Sequence, residues 1–286
     1  MSKKRYSDYL KERFGARTHR VCIDAGFSCP NKDGKISTLG CIYCDNKAFS
    51  HPLRAGVMSS IEEQIESGMR AAKRRFKAKK FIAYFQAHTN TYAPLSVLKE
   101  VYDKVRRYKD IVSISIATRP DCVDSDVIRL IAGYAADYEV WIEYGLQSIH
   151  ERSLRFINRG HDYNDFLKAF ALTVRYPIKI CAHVILGLPG ETEEMMMQTA
   201  RQMSRLAIDG IKIHPLYVVK GTALEQIYNR NEYRPMGLQE YTRILGRFMD
   251  YLPAGIIVQR SSAYCPKEWL VCPEWVGDKR NSALLF

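Results

Sequence analysis

The chain has 286 residues, 47% of them hydrophobic and 26% charged, which excludes a disordered chain and allows one large α/β barrel or two modest domains. Lys and Arg outnumber Asp and Glu by 43 to 31, a net charge of +12, which favours a phosphate-rich partner without separating nucleic acid from an anionic membrane surface. No stretch approaches the roughly 18 apolar residues of a membrane span, and the polar start Met1–Tyr6 lacks an apolar leader, so a cytoplasmic chain with reduced thiols is expected.

In chain order, residues 1–17 read as a helical extension. Residues 18–252 carry a core of alternating strands and helices. The strand candidates are His19–Ala25, Phe81–Gln86, Val112–Ala117, Val140–Leu146, Ile178–Leu186 and Gly210–Val218. Several are almost continuously apolar, as strands buried on both faces of a parallel sheet are. Helix-like segments follow at Ile61–Lys80, Pro94–Tyr108, Asp124–Asp137, Ile149–Asn158, Asp162–Arg175, Thr192–Ala207 and Leu238–Leu252. Six β-then-α units are too few for an eight-stranded closure, so the expected fold is α/β, an open, partial (β/α)6 barrel of TIM type. A doubly wound flat sheet is the runner-up. Ile256–Arg260 reads as a late edge strand, and residues 253–286 as a segment covering the barrel edge. In either fold, chemistry gathers where strands end in the carboxyl direction.

The loop after the first strand holds Cys29, Cys41 and Cys44, spaced C-x11-C-x2-C among Gly26, Pro30, Gly34 and Gly40. Three readings compete. Three thiolates hold a [4Fe–4S] cluster and leave one iron open. Alternatively they hold structural zinc, with His51 as fourth ligand. In the third, they are unrelated thiols. A site at the catalytic face favours iron–sulfur, because structural zinc more often sits in a separate knuckle of paired C-x2-C elements. The other cysteines carry less. Cys22 and Cys181 lie in apolar runs and read as core, Cys122 is assigned nothing, and Cys265 and Cys272 are too few for a second metal site.

The C-x2-C pair with Tyr43 between resembles the radical S-adenosylmethionine (SAM) signature. The long gap before it resembles the branch that includes the catalytic subunit of elongator. The string Asp24–Asn31 with Cys41–Cys44 is more similar still to the MnmL family, also called YtqA/YhcC-like. The likeness runs from Tyr9–Gly15 to Pro273–Trp275. It implies a [4Fe–4S] cluster on Cys29, Cys41 and Cys44, with SAM on the open iron. Tyr43, Gln86, Asn90, Thr91, Thr118, Glu143, Gln147 and Gly187 are then the expected SAM contacts. Gln86, Asn90 and Thr91 stand where most of the superfamily has Gly-Gly-Glu. Glu143 has a second explanation, a structural ion pair, since a carboxylate in an apolar strand needs a partner. His214 reads equally as packed core or as a residue near adenine.

The implied chemistry is reductive cleavage of SAM to a 5′-deoxyadenosyl radical, fed by a flavodoxin- or ferredoxin-type reductant. The implied substrate is tRNA, with conversion of the wobble uridine's 5-carboxymethylaminomethyl group to 5-aminomethyl. Two rivals remain: the same chemistry on a small molecule or protein, and a non-enzymatic, zinc-bearing RNA-binding protein. The basic run Ala72–Lys80 is either an RNA grip or a solvated helix end matched to its own dipole.

Overall fold

The computed structural model describes residues 3–49 and 59–284. His51, the candidate fourth zinc ligand, lies outside them. Eight strands form one all-parallel sheet that curls into a partial barrel, in the order β1-β9-β7-β6-β5-β4-β3-β2. Six match the expectation: β2 (Thr18–Ile23), β3 (Lys80–Phe85), β4 (Ile111–Thr118), β5 (Glu139–Gln147), β6 (Lys179–Leu186) and β7 (Gly210–Pro215). The expected sixth strand breaks at Pro215, and Val218–Val219 forms a separate short strand, β8. The late strand β9 (Ile257–Arg260) is not at the edge: the dipeptide β1 (Lys4–Arg5) pairs outside it. Both chain ends therefore extend the sheet.

Alternation along each strand splits its side chains between two environments. One set, including Ile23, Phe85, Ile116, Ile142, Leu146, Val184 and Ile213, packs under the helices as the main core. The other set faces the barrel interior. Its lower part is apolar: Ile82, Trp141, Cys181 and Ile257 meet Tyr9 and Leu10 of the N-terminal helix Tyr6–Phe14. That helix plugs the barrel at the strands' amino ends. Tyr9 Oη donates to Glu139 Oε2 at 2.6 Å, Arg13 adds a bond at 2.8 Å, and Trp141 Nε1 donates to the other oxygen at 2.8 Å. Tyr9→Phe will cost about 1–2 kcal/mol, since a charged acceptor loses one donor in a buried site; urea unfolding measures it.

The helix Ile61–Phe76 starts with a capping box between Ser60 and Glu63 and ends at Lys77 in left-handed backbone (φ 53°). Its basic end leads into β3 at Lys80. The run Ala72–Lys80 thus lies at the barrel's amino end, opposite the cysteine loop. A helix-end role fits that position better than a grip on a nucleotide at the site.

The C-terminal segment packs against the chain that follows β7. A short strand, β10 (Leu270–Cys272), pairs antiparallel with β8, and Trp275 Nε1 donates to the Met236 carbonyl at 3.0 Å. Cys265 is buried there among Ala48, Val219, Ala263, Leu270 and Val276.

Candidate active site

The loop after β2 folds back on itself over the strands' carboxyl ends. Lys32 and Asp33 amides bond the Cys29 carbonyl, the Gly40 amide bonds the Asn31 carbonyl, and the Cys44 amide bonds the Cys41 carbonyl. Burial pushes the Cys44 thiol up to about 12, helped by Cys41 and Cys29 and opposed by Lys32. Cys41 and Cys29 thus both lie within electrostatic reach of Cys44. Among the described residues, no three His, Cys, Asp or Glu side chains converge on a single metal ion.

The segment Asn158-Arg159-Gly160 clasps this loop. Asn158 Nδ2 donates to the Gly40 carbonyl at 2.7 Å, and the Ile42 amide donates to the Ile157 carbonyl at 3.1 Å. Two donors point at one sulfur: Arg159 Nη1 lies 3.5 Å and Asn31 Nδ2 3.7 Å from Cys41 Sγ. Arg159 is itself fixed by Nη2 on the Gly145 carbonyl at 2.6 Å and by Arg119 Nη1 on its own carbonyl at 2.8 Å. Arg119 is held in turn by a two-bond pair with Asp121, at 2.9 and 2.8 Å. A Cβ at Gly145 would sit 2.6 Å from Arg159 Nη2, so a side chain there would displace that guanidinium. The sequence alone assigned Arg159 and Asn31 no part in this.

The other expected residues fall into three groups. Tyr43 lies in the cysteine loop, and Gln86, Asn90, Thr91, Thr118 and Gln147 lie at or just after the carboxyl ends of β3, β4 and β5. Burial raises the Tyr43 phenol's pKa, and its neighbour Cys41 adds to the rise. Gln86 follows β3 and is half-buried. Thr91 and Thr118 hydroxyls bond each other at 2.6 Å, and Thr91 also reaches the Cys122 carbonyl at 2.6 Å. Asn90 Nδ2 ties the Ala87 and Ala117 carbonyls together at 3.0 and 2.9 Å. Gln147 ends β5 with φ 77°, an uncommon backbone for a side-chain-bearing residue and one enriched at ligand sites.

Gly187 forms the second group. Its backbone is left-handed (φ 82°), but Met236 fills the space before it, 2.7 Å from where a Cβ would lie, and Tyr233 Oη donates to its carbonyl at 2.9 Å. It borders a cleft of about 350 Å³ with Leu188, Gly190, Glu191 and Tyr233.

Glu143 is the third. The structure shows the ion pair, its second explanation. The carboxylate is fully buried and takes bonds from Lys212 Nζ, Ser115 Oγ (2.6 Å), His183 Nε2 (2.8 Å) and Tyr84 Oη (3.1 Å). Both carboxylate oxygens thus have donors within the protein. Burial alone would raise its pKa, yet Lys212 and His183 overcome that and hold it well below the usual carboxylate range. Burial draws Lys212 down to about 8, so it stays charged at neutral pH. His183 falls to about 4 for the same reason, and His214 is lowered by burial and then by Arg260. His214 is thus half-buried and neutral beside His183, ring centroids 5.8 Å apart.

Residues 34–203 match the family model described as Radical SAM superfamily, and residues 208–283 the one described as Radical_SAM C-terminal domain. The chain belongs to the radical SAM superfamily. As a member it is a radical SAM enzyme, and its cofactors are a [4Fe–4S] cluster and SAM. It is similar to YtqA of Bacillus subtilis strain 168, 36% identical over 95% of this chain and 84% of that one. It is also similar to a tRNA uridine(34) acetyltransferase of Methanocaldococcus jannaschii, 29% identical over 56% of this chain and 30% of that protein. Among solved structures, the archaeal Methanocaldococcus infernus Elp3 with an N-terminal deletion superposes with a TM-score of 0.68 at 19% identity. The match covers 94% of this chain and 61% of that one, a likeness of fold.

The residues present fit the two cofactors. Three thiols in one clasped loop offer the usual cluster ligands, and Arg159 and Lys32 supply positive charge beside them. Asn90 Oδ1, Asn31 Oδ1 and Thr89 Oγ1 are buried acceptors with no protein partner, as a ligand bearing an ammonium and hydroxyls requires. Among the described residues no helix is long and apolar enough to cross a membrane.

Proposed function

We propose that this radical SAM enzyme acts on tRNA, at the C5 side chain of the wobble uridine, and removes the carboxymethyl part of a 5-carboxymethylaminomethyl group. Cys29, Cys41 and Cys44 hold the cluster in this reading. Asn90, Thr91, Thr118, Gln147, Gln86 and Tyr43 surround SAM, and Gly187 borders it. When bound, the two cofactors supply a hydrogen-abstracting carbon radical. The protein's part is to orient the target carbon and keep water and stray hydrogen donors away. Arg159 and Asn31 keep the Cys41 sulfur in place; Arg119 and Asp121 keep Arg159 in place. A flavodoxin- or ferredoxin-type protein delivers the electron.

One observation carries the reading: the three-cysteine loop is clasped over the carboxyl end of a barrel whose sequence is 29% identical to a tRNA uridine(34) acetyltransferase over 56% of this chain. The charge of +12 supports a polyanionic substrate. In tRNA from a deletion strain, mass spectrometry of wobble nucleosides will find the carboxymethylaminomethyl form in excess and the aminomethyl form depleted. Unchanged nucleosides would remove tRNA and leave radical chemistry on a smaller substrate.

A further inference from the structure

The barrel interior holds charges outside the residues assigned above to the cluster and SAM. Across three adjacent parallel strands, His183 (β6), Lys212 (β7) and Arg260 (β9) are direct neighbours in register. A bulge produces the last alignment. Ile211 pairs with Val258 but Lys212 pairs with Arg260, so Gln259 is an extra residue. Bulges of this kind re-aim the side chain that follows them. His214 stands one pleat above Lys212. Arg20 faces the same space from β2, with Nη2 on Gln259 Oε1 at 2.5 Å and its Nε buried without a partner.

The charges at this level do not cancel. Arg20, Lys212 and Arg260 are cations, and Glu143 is the carboxylate among them. Its oxygens are already taken by Lys212, His183, Tyr84 and Ser115. The two histidines are neutral, and Cys22, Cys181 and Tyr84 are held in their uncharged forms by burial. Among the described residues no carboxylate forms an ion pair with Arg260 or Arg20. Lys212 is out of reach of bulk water, Arg20, His183 and His214 are half-buried, and Arg260 is exposed. The row therefore opens to solvent on the side of β9.

We infer that Arg260, with His183 and His214 beside it, forms a subsite that takes a carboxylate of the substrate inside the barrel. An excess of cations in a partly dry site recruits an anion, and a guanidinium fork matches a carboxylate with two parallel bonds. Lys212 lies three residues before the end of β7, about 10 Å below the rim at ~3.3 Å per residue, and its neighbour in register, Arg260, ends β9 and meets solvent. A side chain at C5 of a splayed-out base can reach that level, and a backbone phosphate is told from a carboxylate by comparing RNAs that share the phosphates and differ only in the carboxylate. The subsite rests on the proposed function and deepens it: Arg260 would be a specificity residue that reads the group to be removed.

The test uses the holoenzyme, loaded with cluster and SAM, and an anticodon stem-loop RNA. The wobble uridine carries either the 5-carboxymethylaminomethyl group or its uncharged primary amide. Wild type will bind the acid about tenfold more tightly than the amide, the worth of one charge-assisted bond, and R260Q will bind the two equally. R260K will recover part of the preference. If wild type converts the acid but binds acid and amide alike, the subsite is overturned and the tRNA reading stands. If wild type neither binds nor converts either RNA, both fall. Substrate-free formation of 5′-deoxyadenosine reports on SAM itself; its loss in R260Q would assign the cation to SAM and overturn the subsite.

Discussion

Alanine at Cys29, Cys41 or Cys44 will give a folded protein that stays colourless after anaerobic reconstitution with iron and sulfide. The wild type will turn brown and hold about four irons and four sulfides per chain. Each thiolate is one of three anchors in the proposed cluster site, so losing any one leaves a cubane with two open corners. With dithionite and SAM, the variants will form no 5′-deoxyadenosine, a loss of at least about a thousandfold, because the hard chemistry belongs to the cofactor. Folding should survive: the loop is held by backbone bonds at Cys29, Asn31 and Cys41 and by Asn158, none of which uses a thiol. Cys265→Ala is the control. Its thiol is buried among apolar side chains, so it should bind iron as wild type does. Brown colour and turnover retained in any of the three variants would sink the cluster assignment. One zinc per colourless wild-type chain would revive the zinc reading.

Some of this was legible in the sequence because its physics is local. The six inner strands announce themselves as apolar runs, since a parallel sheet covered by helices buries one face of each strand and a barrel interior covers the other. The three cysteines fall in one loop, and loops after strands face the catalytic end. What the sequence left open depends on register or on distance along the chain. Arg159 meets the Cys41 sulfur across 118 residues, and nothing in Asn158-Arg159-Gly160 says which loop it will clasp. His183 and Lys212 are polar residues in apolar strands, the same kind of signal that drew attention to Glu143. Only the pairing of β5 with β6 and of β6 with β7 places them together. The bulge at Gln259 is less visible still, because one extra residue decides which way Arg260 faces. The dipeptide strand Lys4–Arg5 is too short for any periodicity. The Met236 side chain in front of Gly187 is likewise a contact across the chain that no local pattern announces.

The second large effect is on stability. Lys212→Met will cost about 3–5 kcal/mol in denaturant unfolding, because it strands the Glu143 carboxylate in a fully buried site. Tyr84, Ser115 and His183 would still donate to it, but hydrogen bonds alone do not replace a buried countercharge. Glu143→Gln should cost less. It leaves Lys212 without its anion, but Lys212 already sits near 8 and can shed its proton at a smaller penalty. The pH dependence separates this from simple loss of packing. In the wild type the folded carboxyl titrates well below its ordinary value of about 4. Its contribution is therefore complete above that ordinary value and is lost as pH falls through the folded one. Without Lys212, burial dominates and the folded carboxyl should titrate above its ordinary value. Lys212→Met will then be most destabilised at neutral pH, and its deficit against wild type will shrink as pH falls toward 4. A deficit that stays constant across that range would mean that Lys212 acts through its methylenes, and the charged core would not be what holds β5, β6 and β7 in register beneath the site.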